Sequence, residues 1–490
     1  MTRSVPLRSL GIALASTLAW GGCSAVINPD TTLLGDPVDA GPGIVLVDGG
    51  PRVDAGDRDA GARMDADRPG VDGGPMRDAG GCVASCAEGV LRNCMGGEIT
   101  CMLGCAPGGE PRCLEMIPSN VAPDLWRSDA PTVDLAGDGR FGFDTDACNS
   151  TMAMSQIVSQ GDGSQVCVFQ VRTLRIRSGA TLRAVGENPL VIMAFDDVQI
   201  DDGGTLDVST YGSGDAAQSL GAGGTLGSRP ARAALGISPG RDGVHTTGTY
   251  EDGGGGGGGF CGAGGAGGNG GTEINGGMGG GIALVNLLIP LVGGSSGGFG
   301  AGNLVGTSTV GLGGGGGGAV QISARGSITV NGAILAGGGG GRGGLAGVTS
   351  LNWGSGGGGG SGGAILLEAP MVVVTSTATV STTGGAGAGS ASGSPGDDGE
   401  DGARLLDPAA GGRRGGNLYG ADGADSGGGT RDEGNIGGSN TGGSGNGGGG
   451  GGGVGCVVLR SREGTLPGGG VSQISGRNPS ALMTAPILTR

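Results

Sequence analysis

The sequence contains no lysine: its 28 basic residues are all arginine, and 44 acidic residues give a net charge of −16. A phosphate-binding Walker loop requires a lysine, so none of the glycine tracts is a nucleotide site of that type. An acidic chain with scattered arginines also lacks the basic surface that nucleic acids need. We therefore expect no nucleic-acid partner, and we interpret the net charge as a determinant of solubility.

Aromatic residues and histidine are also scarce, with 3 Trp, 3 Tyr, 6 Phe and one His. A core must therefore be built from Val, Ile, Leu, Ala and Thr, which suits short strands stacked in a narrow column. Glycine supplies 127 and proline 22 of the 490 residues, a composition typical of disorder or collagen. No sustained Gly-X-Y period runs through the chain, however, and apolar segments such as Leu190–Ala194 recur between the glycine tracts. We therefore expect a folded, all-β structure.

The N-terminus has the order of a secretory signal: two arginines, an apolar run that ends at Trp20, and then Gly-Gly-Cys23. A cysteine after small residues resembles the bacterial lipoprotein signal, in which the thiol is acylated and the chain is held at a membrane. Trp20 stands where a small aliphatic residue is usual, so cleavage by an ordinary signal peptidase is the alternative. Both interpretations predict export. With Ser24 after Cys23, the lipoprotein signal predicts an outer-membrane lipoprotein or another cell-envelope or surface location.

Composition divides the remaining chain into successive parts. Imperfect Asp-Ala-Gly repeats and few large apolar residues predict a disordered tether with an end-to-end distance of about 40 Å. The predicted domains are a signal peptide (1–23), the Asp/Gly/Pro-rich tether (24–81), a six-cysteine module (82–116), a β-rich segment (117–212) and a glycine-rich β-repeat domain (213–490).

The eleven cysteines become an even number once Cys23 is assigned to lipid, and ten cysteines in an exported chain can pair. Six lie in one cluster, which predicts a small disulfide-stapled module: Cys82, Cys86, Cys94, Cys101, Cys105 and Cys113. Zinc binding is the competing interpretation, but it normally shows paired Cys-x2-Cys knuckles or histidine partners. The connectivity within the cluster stays open.

The four remaining cysteines suggest two pairs by proximity and elimination, Cys148 with Cys167 and Cys261 with Cys456. The second pair would close the glycine-rich region. The first pair has a difficulty, because a hairpin at 161–163 would place Cys167 opposite about Val158. Another strand crossing would then be needed to bring Cys148 to Cys167.

Short apolar segments repeat along the chain and predict a parallel β-helix-like structure or stacked-strand solenoid with long glycine-rich loops. The matching segments are Gly179–Leu182 with Gly203–Leu206, 24 residues apart; Ala319–Ala324 with Ala364–Ala369 and Ser327–Val330 with Val372–Thr375, both 45 residues apart; and, as a third copy, Cys456–Arg460. The glycine tracts between them are either disordered loops or close-set glycine helices in which only a hydrogen atom separates the chains. Both interpretations stay open.

Several features in this order resemble glycine-rich surface lipoproteins of myxobacterial type. They are the signal ending at Cys23, the Asp/Gly-rich tether, the six-cysteine module followed by Pro118-Ser119-Asn120, the segments Val166–Gln170 and Leu174–Gly179, and the glycine-rich repeats. The resemblance covers nearly the whole chain, and no established activity is carried over from it.

No residue is predicted to be catalytic, to bind a cofactor or to ligate a metal. Two Gly-x-Ser-x-Gly patterns, at 293–297 and 359–363, are expected by chance in so glycine-rich a region. His245 has no identifiable partner and is predicted to be a surface histidine. The segment 134–146 has the aspartates of a calcium loop but lacks its other oxygen ligands.

A group of aspartates is the remaining candidate for catalysis, because paired carboxylates hydrolyse glycosides. These are Asp196, Asp197, Asp201 and Asp202, and aspartate before glycine is more typical of strand-to-strand turns. We therefore predict a non-catalytic surface protein that is adhesive or structural at the envelope and contacts extracellular polysaccharide. The alternative is a carbohydrate-active β-helix enzyme, either a polysaccharide lyase or a hydrolase.

Overall fold

A computed structural model describes residues 84–106, 110–214, 218–246, 251–283, 285–302, 310–346, 353–402, 407–416, 419–428, 431–440, 445–463, 474 and 482–489. The predicted signal, the lipidation site Cys23, the tether and Cys82 lie outside the described residues. Within the ranges above, there are twenty strands, two single-turn 3-10 helices and no α-helix. The all-β prediction is confirmed.

The strands are β1 (Ser85–Ala87), β2 (Val90–Arg92), β3 (Glu98–Thr100), β4 (Val133–Leu135), β5 (Arg140–Asp144), β6 (Met154–Ser159), β7 (Gln165–Val171), β8 (Leu174–Ile176), β9 (Thr181–Val185), β10 (Leu190–Ala194), β11 (Val198–Ile200), β12 (Thr205–Asp207), β13 (Ala319–Ala324), β14 (Ser327–Val330), β15 (Ala333–Leu335), β16 (Ala364–Glu368), β17 (Met371–Val374), β18 (Thr379–Ser381), β19 (Cys456–Ser461) and β20 (Leu482–Pro486). The 3-10 helices are Pro123–Leu125 and Asn286–Leu288.

Three sheets contain all the strands after β3. They are a seven-stranded sheet in the order β20-β19-β16-β13-β10-β7-β6, a five-stranded sheet β17-β14-β11-β8-β4 and a five-stranded sheet β18-β15-β12-β9-β5. Every pairing in them is parallel except β6 with β7. From β7 to β18 the chain visits the three sheets in the same order four times, with one short strand in each.

The inward side chains of the three sheets form one aliphatic core. Leu174, Leu182 and Ile192 each come from a different sheet and belong to the same buried cluster. Strands of the two five-stranded sheets alternate buried and accessible residues, whereas β10 is buried throughout. A second apolar cluster on the outer face of the seven-stranded sheet explains the difference, because that sheet is covered on both sides.

The repeats found in the sequence are neighbouring strands. Thr181 pairs with Thr205, Ala319 with Ala364, and Ala364 with Cys456, as the sequence offsets predict. One register is wrong by a residue: Ser327 pairs with Met371 and not with Val372. Ser327 follows Ser323 by four residues, whereas Met371 follows Glu368, the register partner of Ser323, by three. Sequence similarity between apolar residues does not reveal this difference.

Both predicted disulfides outside the cysteine cluster are present, Cys148–Cys167 and Cys261–Cys456. The 161–163 turn does form a hairpin and places Cys167 opposite Ile157. Cys148 reaches Cys167 from the turn that follows β5, and both sulfurs lie in the core.

The cysteine cluster is also disulfide-bonded and surrounds the antiparallel sheet β1-β2-β3. Its bonds include Cys86–Cys105 and Cys101–Cys113, and Cys94 is disulfide-bonded as well. Cys86, Cys101 and Cys105 lie close enough to hold a metal ion, but their sulfurs are already used in these two bonds. The disulfide interpretation of the cluster is therefore confirmed.

Three long glycine-rich inserts leave the sheets at the same corner. Each follows a strand of the β18-β15-β12-β9-β5 sheet and precedes a strand of the seven-stranded sheet: residues 208–318, 336–363 and 382–455. We call the described parts of these inserts the glycine bundle. Because all three start and end at one corner, their tracts lie side by side, and Ala364 N and Cys456 N bond to Gly318 O and Gly363 O of the adjacent tracts.

The last tract of the glycine bundle, residues 445–455, shows how its backbone is satisfied. Its backbone N–H groups donate to carbonyl oxygens of three neighbouring segments, with N···O distances of 2.7–3.0 Å. The segment 252–258 accepts from residues 447, 450 and 453, the segment 432–438 from 448, 451 and 454, and the segment 382–388 from 449, 452 and 455. Positions three apart thus share a partner. Three residues per turn and no internal hydrogen bond are the properties of the polyproline II helix. In the described part of the inserts, this tract therefore packs as a close-set glycine helix, which is the second of the two interpretations.

Glycine is required in these tracts because the backbones touch. A Cβ on Gly450 would overlap the carbonyl oxygen of Gly265, and one on Gly358 would overlap that of Gly256. Such contacts leave room for a hydrogen atom only, as at the axis of collagen.

We predict that Gly450→Ala lowers the free energy of unfolding by about 2 kcal/mol or more, because the added methyl group must push two backbones apart. Gly281→Ala is the matched control, since its Cβ would meet only the Ser238 hydroxyl at an ordinary contact distance. Denaturant titrations of both variants measure the effect. Equal stability of the two variants would contradict the close packing of the bundle.

Candidate functional site

A cavity of about 500 Å³ lies on the outer face of the sheet formed by β5, β9 and β12. Side chains alternate along β9, so Leu182 and Ala184 enter the core while their neighbours face outward. The lining residues are Arg140 from β5, Thr181, Arg183 and Val185 from β9, Asp207 from β12, and Tyr211 and Ser219 from the insert that follows. Backbone hydrogen bonds join Tyr211 and Ser219 to each other, and Ala222 N donates to Ala184 O of β9.

Asp207 organises one wall of the cavity. Its Oδ1 accepts from Arg183 Nη1 at 3.1 Å and from Ser209 N at 2.9 Å, and its Oδ2 accepts from the Tyr211 hydroxyl at 2.9 Å. The Arg183 guanidinium stacks over the Tyr211 ring, with its central carbon 4.8 Å from the ring centroid. The Asp207 and Arg183 side chains are only 6% and 15% exposed. This wall is therefore rigid, and both oxygens of its carboxylate are occupied.

Arg140 forms the opposite side and is exposed. It makes no ion pair or hydrogen bond with a described residue, in contrast to Arg183. The next outward position on β5 is Gly142, the register partner of Arg183, and a Cβ there would touch nothing within 4 Å. The floor of the cavity, which we define as the sheet surface at Gly142 between Arg140 and Arg183, is consequently not covered by a side chain.

Three of the four candidate aspartates are bonded to other groups of the fold. Asp196 and Asp201 pair with Arg172 and Arg175, each at 2.9 Å. Asp197 accepts from the backbone and hydroxyl of Ser327 at 2.7 and 2.8 Å. These carboxylates stabilise corners between strands, in agreement with the turn interpretation. In the calcium-loop candidate, Asp134 is paired with Arg177 and Asp144 caps the turn at 146–147.

The serines of the two Gly-x-Ser-x-Gly patterns are structural. Ser295 and Ser361 are fully buried in the glycine bundle, and Ser295 N donates to Ser361 Oγ at 2.8 Å. They lie next to each other because 293–301 and 354–363 are adjacent tracts. A buried hydroxyl that is bonded to backbone is not placed to attack a substrate.

The prediction that His245 lacks a partner is wrong. Its Nδ1 lies 2.5 Å from Asp252 Oδ1, and the two side chains are 35% and 6% exposed. The two residues meet across an isolated bridge between antiparallel segments. Burial raises the pKa of Asp252, and the hydrogen bond from His245 partly opposes this. No hydroxyl of the described residues bonds to Nε2.

A buried polar cluster on the covered face of the seven-stranded sheet has no clear signal in the sequence. Glu368 is 1% exposed, and its carboxylate accepts from Ser119 N at 3.1 Å, Gln321 Nε2 at 3.0 Å and Ser323 Oγ at 2.9 Å. Arg460, its register partner on β19, lies 3.7 Å away. The cluster fastens the segment that follows the cysteine module onto the sheet. Burial raises the pKa of Glu368 despite these donors.

Carboxylates on the surface of the glycine bundle have a shared role that the sequence also does not reveal. Each accepts a backbone N–H that has no carbonyl partner in a neighbouring tract. Asp401 Oδ1, for example, accepts from Gly212 N at 2.9 Å and Gly340 N at 2.8 Å. The others are Asp242, Asp398, Glu400, Asp422 and Asp425. Six of the 44 acidic residues thus complete the hydrogen bonding of the bundle.

No protein-family model, curated protein or solved structure matches the chain. A separate search of the described residues finds no helix with the length and apolar character of a membrane span.

We predict that Glu368→Gln removes a pH dependence of stability. A carboxyl whose pKa is raised on folding stabilises the protein fully below its unfolded pKa, and this stabilisation is lost as pH rises through the folded pKa. The variant should therefore gain stability relative to the wild type with increasing pH, by no more than about 1.4 kcal/mol per pH unit.

Denaturant titrations of wild type and variant across the acidic and neutral range measure this difference. Glu187→Gln, which removes an exposed carboxylate, controls for the loss of one negative charge. A difference between wild type and Glu368→Gln that does not change with pH would contradict the prediction.

Proposed function

We propose that this chain is an exported surface protein, anchored through lipid at Cys23, that binds polysaccharide at the cell envelope without chemical turnover. The carrying observation is the cavity between Arg140 and Tyr211. It combines a rigid wall, hydroxyl groups from Thr181 and Ser219, and a volume in the range of small-molecule sites. Hydroxyls and charged planar groups are the partners that sugars use.

We also propose that the three parallel sheets constitute a parallel β-helix. The four repeated visits to the same three sheets support this assignment, as does the single core that their inward side chains share. In such a coil the outer faces of neighbouring strands form a continuous flat surface, along which an extended glycan chain can lie.

A carbohydrate-active enzyme is the second candidate, since the cavity contains both arginine and a carboxylate. Glycoside hydrolysis normally needs two carboxyl groups on opposite sides of the scissile bond. Among the described residues that line the cavity, Asp207 is the single carboxylate, and Arg183, Ser209 and Tyr211 occupy its oxygens. This arrangement supports binding over catalysis.

We predict that the purified, disulfide-bonded protein binds polysaccharides on a glycan array and releases no oligosaccharide from them. Thr181→Trp should weaken binding at least about tenfold, because the indole fills the cavity from an outward-facing position. Thr379→Trp is the matched control: Thr379 faces outward on the same sheet, two strands beyond β12, and does not line the cavity.

The array also separates the two candidate functions. Release of oligosaccharides would overturn the non-catalytic proposal. Binding that Thr181→Trp leaves unchanged would place the glycan site elsewhere on the molecule.

A further inference from the structure

We propose that the cavity selects glycans that carry carboxylate groups, and that Arg140 is the residue that determines this specificity. The inference rests on the proposed function and names the class of ligand. It follows from the charge of the cavity, the space beside Arg140 and the geometry of its guanidinium group.

The charges of the cavity do not cancel. Arg183 is neutralised by Asp207 at 3.1 Å, while Arg140 has no counter-ion among the described residues. The cavity therefore carries one net positive charge in a chain whose net charge is −16. Arg175 in β8 of the neighbouring sheet and Arg172 and Arg177 beside it differ from Arg140, since each of them pairs with an aspartate. An anionic ligand would supply the counter-ion that Arg140 lacks among the described residues.

The open floor provides the place for that anion. Arg140 and Thr181 are register partners on β5 and β9, and Gly142 and Arg183 are the next outward pair. Because position 142 has no side chain, a ligand group can lie on the strand between the two guanidinium groups. The hydroxyls of Thr181 and Ser219 line the same space and can donate to the ring oxygens and hydroxyls of a sugar.

Guanidinium geometry favours a carboxylate. The group is planar, keeps its charge at all physiological pH values, and donates two parallel N–H bonds to the two oxygens of a carboxylate. Sulfated glycans share the negative charge. A sulfate group, however, has three terminal oxygens. The edge of the single unpaired guanidinium in the cavity donates to two of them and leaves the third without a charged partner.

The test uses the mature, disulfide-bonded protein with three probes: polygalacturonate, the same polymer fully methyl-esterified, and dextran sulfate. Binding is measured by calorimetry at about 0.15 M salt, where charges farther apart than roughly 8 Å are screened. EDTA is present, so that calcium does not bridge two carboxylates. The wild type should bind polygalacturonate at least about tenfold more tightly than either of the other probes.

Arg140→Gln should bind polygalacturonate and its methyl ester equally, because it loses the charge and keeps a polar side chain. Arg413→Gln is the matched control, since Arg413 is an exposed arginine of the glycine bundle and the charge change is the same. It should keep the tenfold preference. Arg140 is exposed, so circular dichroism of the variant should match that of the wild type.

The other outcomes separate this inference from the proposed function. Equal binding of the acidic and esterified polymers by the wild type would overturn the inference and leave the proposed function standing. A preference that persists in Arg140→Gln, or tighter binding of dextran sulfate, would also overturn it. Failure to bind any of the three probes, together with no binding to the glycan array, would contradict the proposed function itself.

Discussion

A backbone N–H in a three-residue-per-turn glycine tract has no partner inside its own tract, and an unpaired buried N–H is costly. Each tract of the glycine bundle therefore depends on others around it, and the neighbours must lie close enough for direct N–H···O bonds. That distance excludes every side chain on the touching faces. One constraint thus accounts for the glycine content, the burial of the tracts and their arrangement beside the sheets.

The same constraint determines what surrounds the bundle. Tracts at its surface have N–H groups that face no further tract, and carboxylates such as Asp401 accept them. Buried serines such as Ser361 join adjacent tracts from within. Carboxylates at the surface of the bundle and serines inside it therefore have a structural role, in addition to the effect of the net charge on solubility.

Sequence reasoning predicted the part of the fold that rests on apolar periodicity. Offsets between Thr181 and Thr205 and between Ala319 and Ala364 gave the correct strand neighbours, and the even count of cysteines led to both long-range disulfides. The order of the glycine tracts was beyond reach, because glycine carries no side chain whose pattern reports a partner. The cavity was missed for a related reason: Arg140 and Arg183 are 43 residues apart, and only the parallel register places their strands side by side.

Tract 445–455 donates to segments of the first and third inserts and accepts from segments of all three, and Cys456 directly after it is bonded to Cys261 of the first insert. These partners are spread over residues 252 to 455. During synthesis the N–H groups of the earlier tracts must therefore stay bonded to water until residue 455 of the 490 has been made. Completion of the glycine bundle is consequently a late event. Its glycine-rich inserts stay hydrated and pliable during synthesis, and the last tract to emerge makes them rigid.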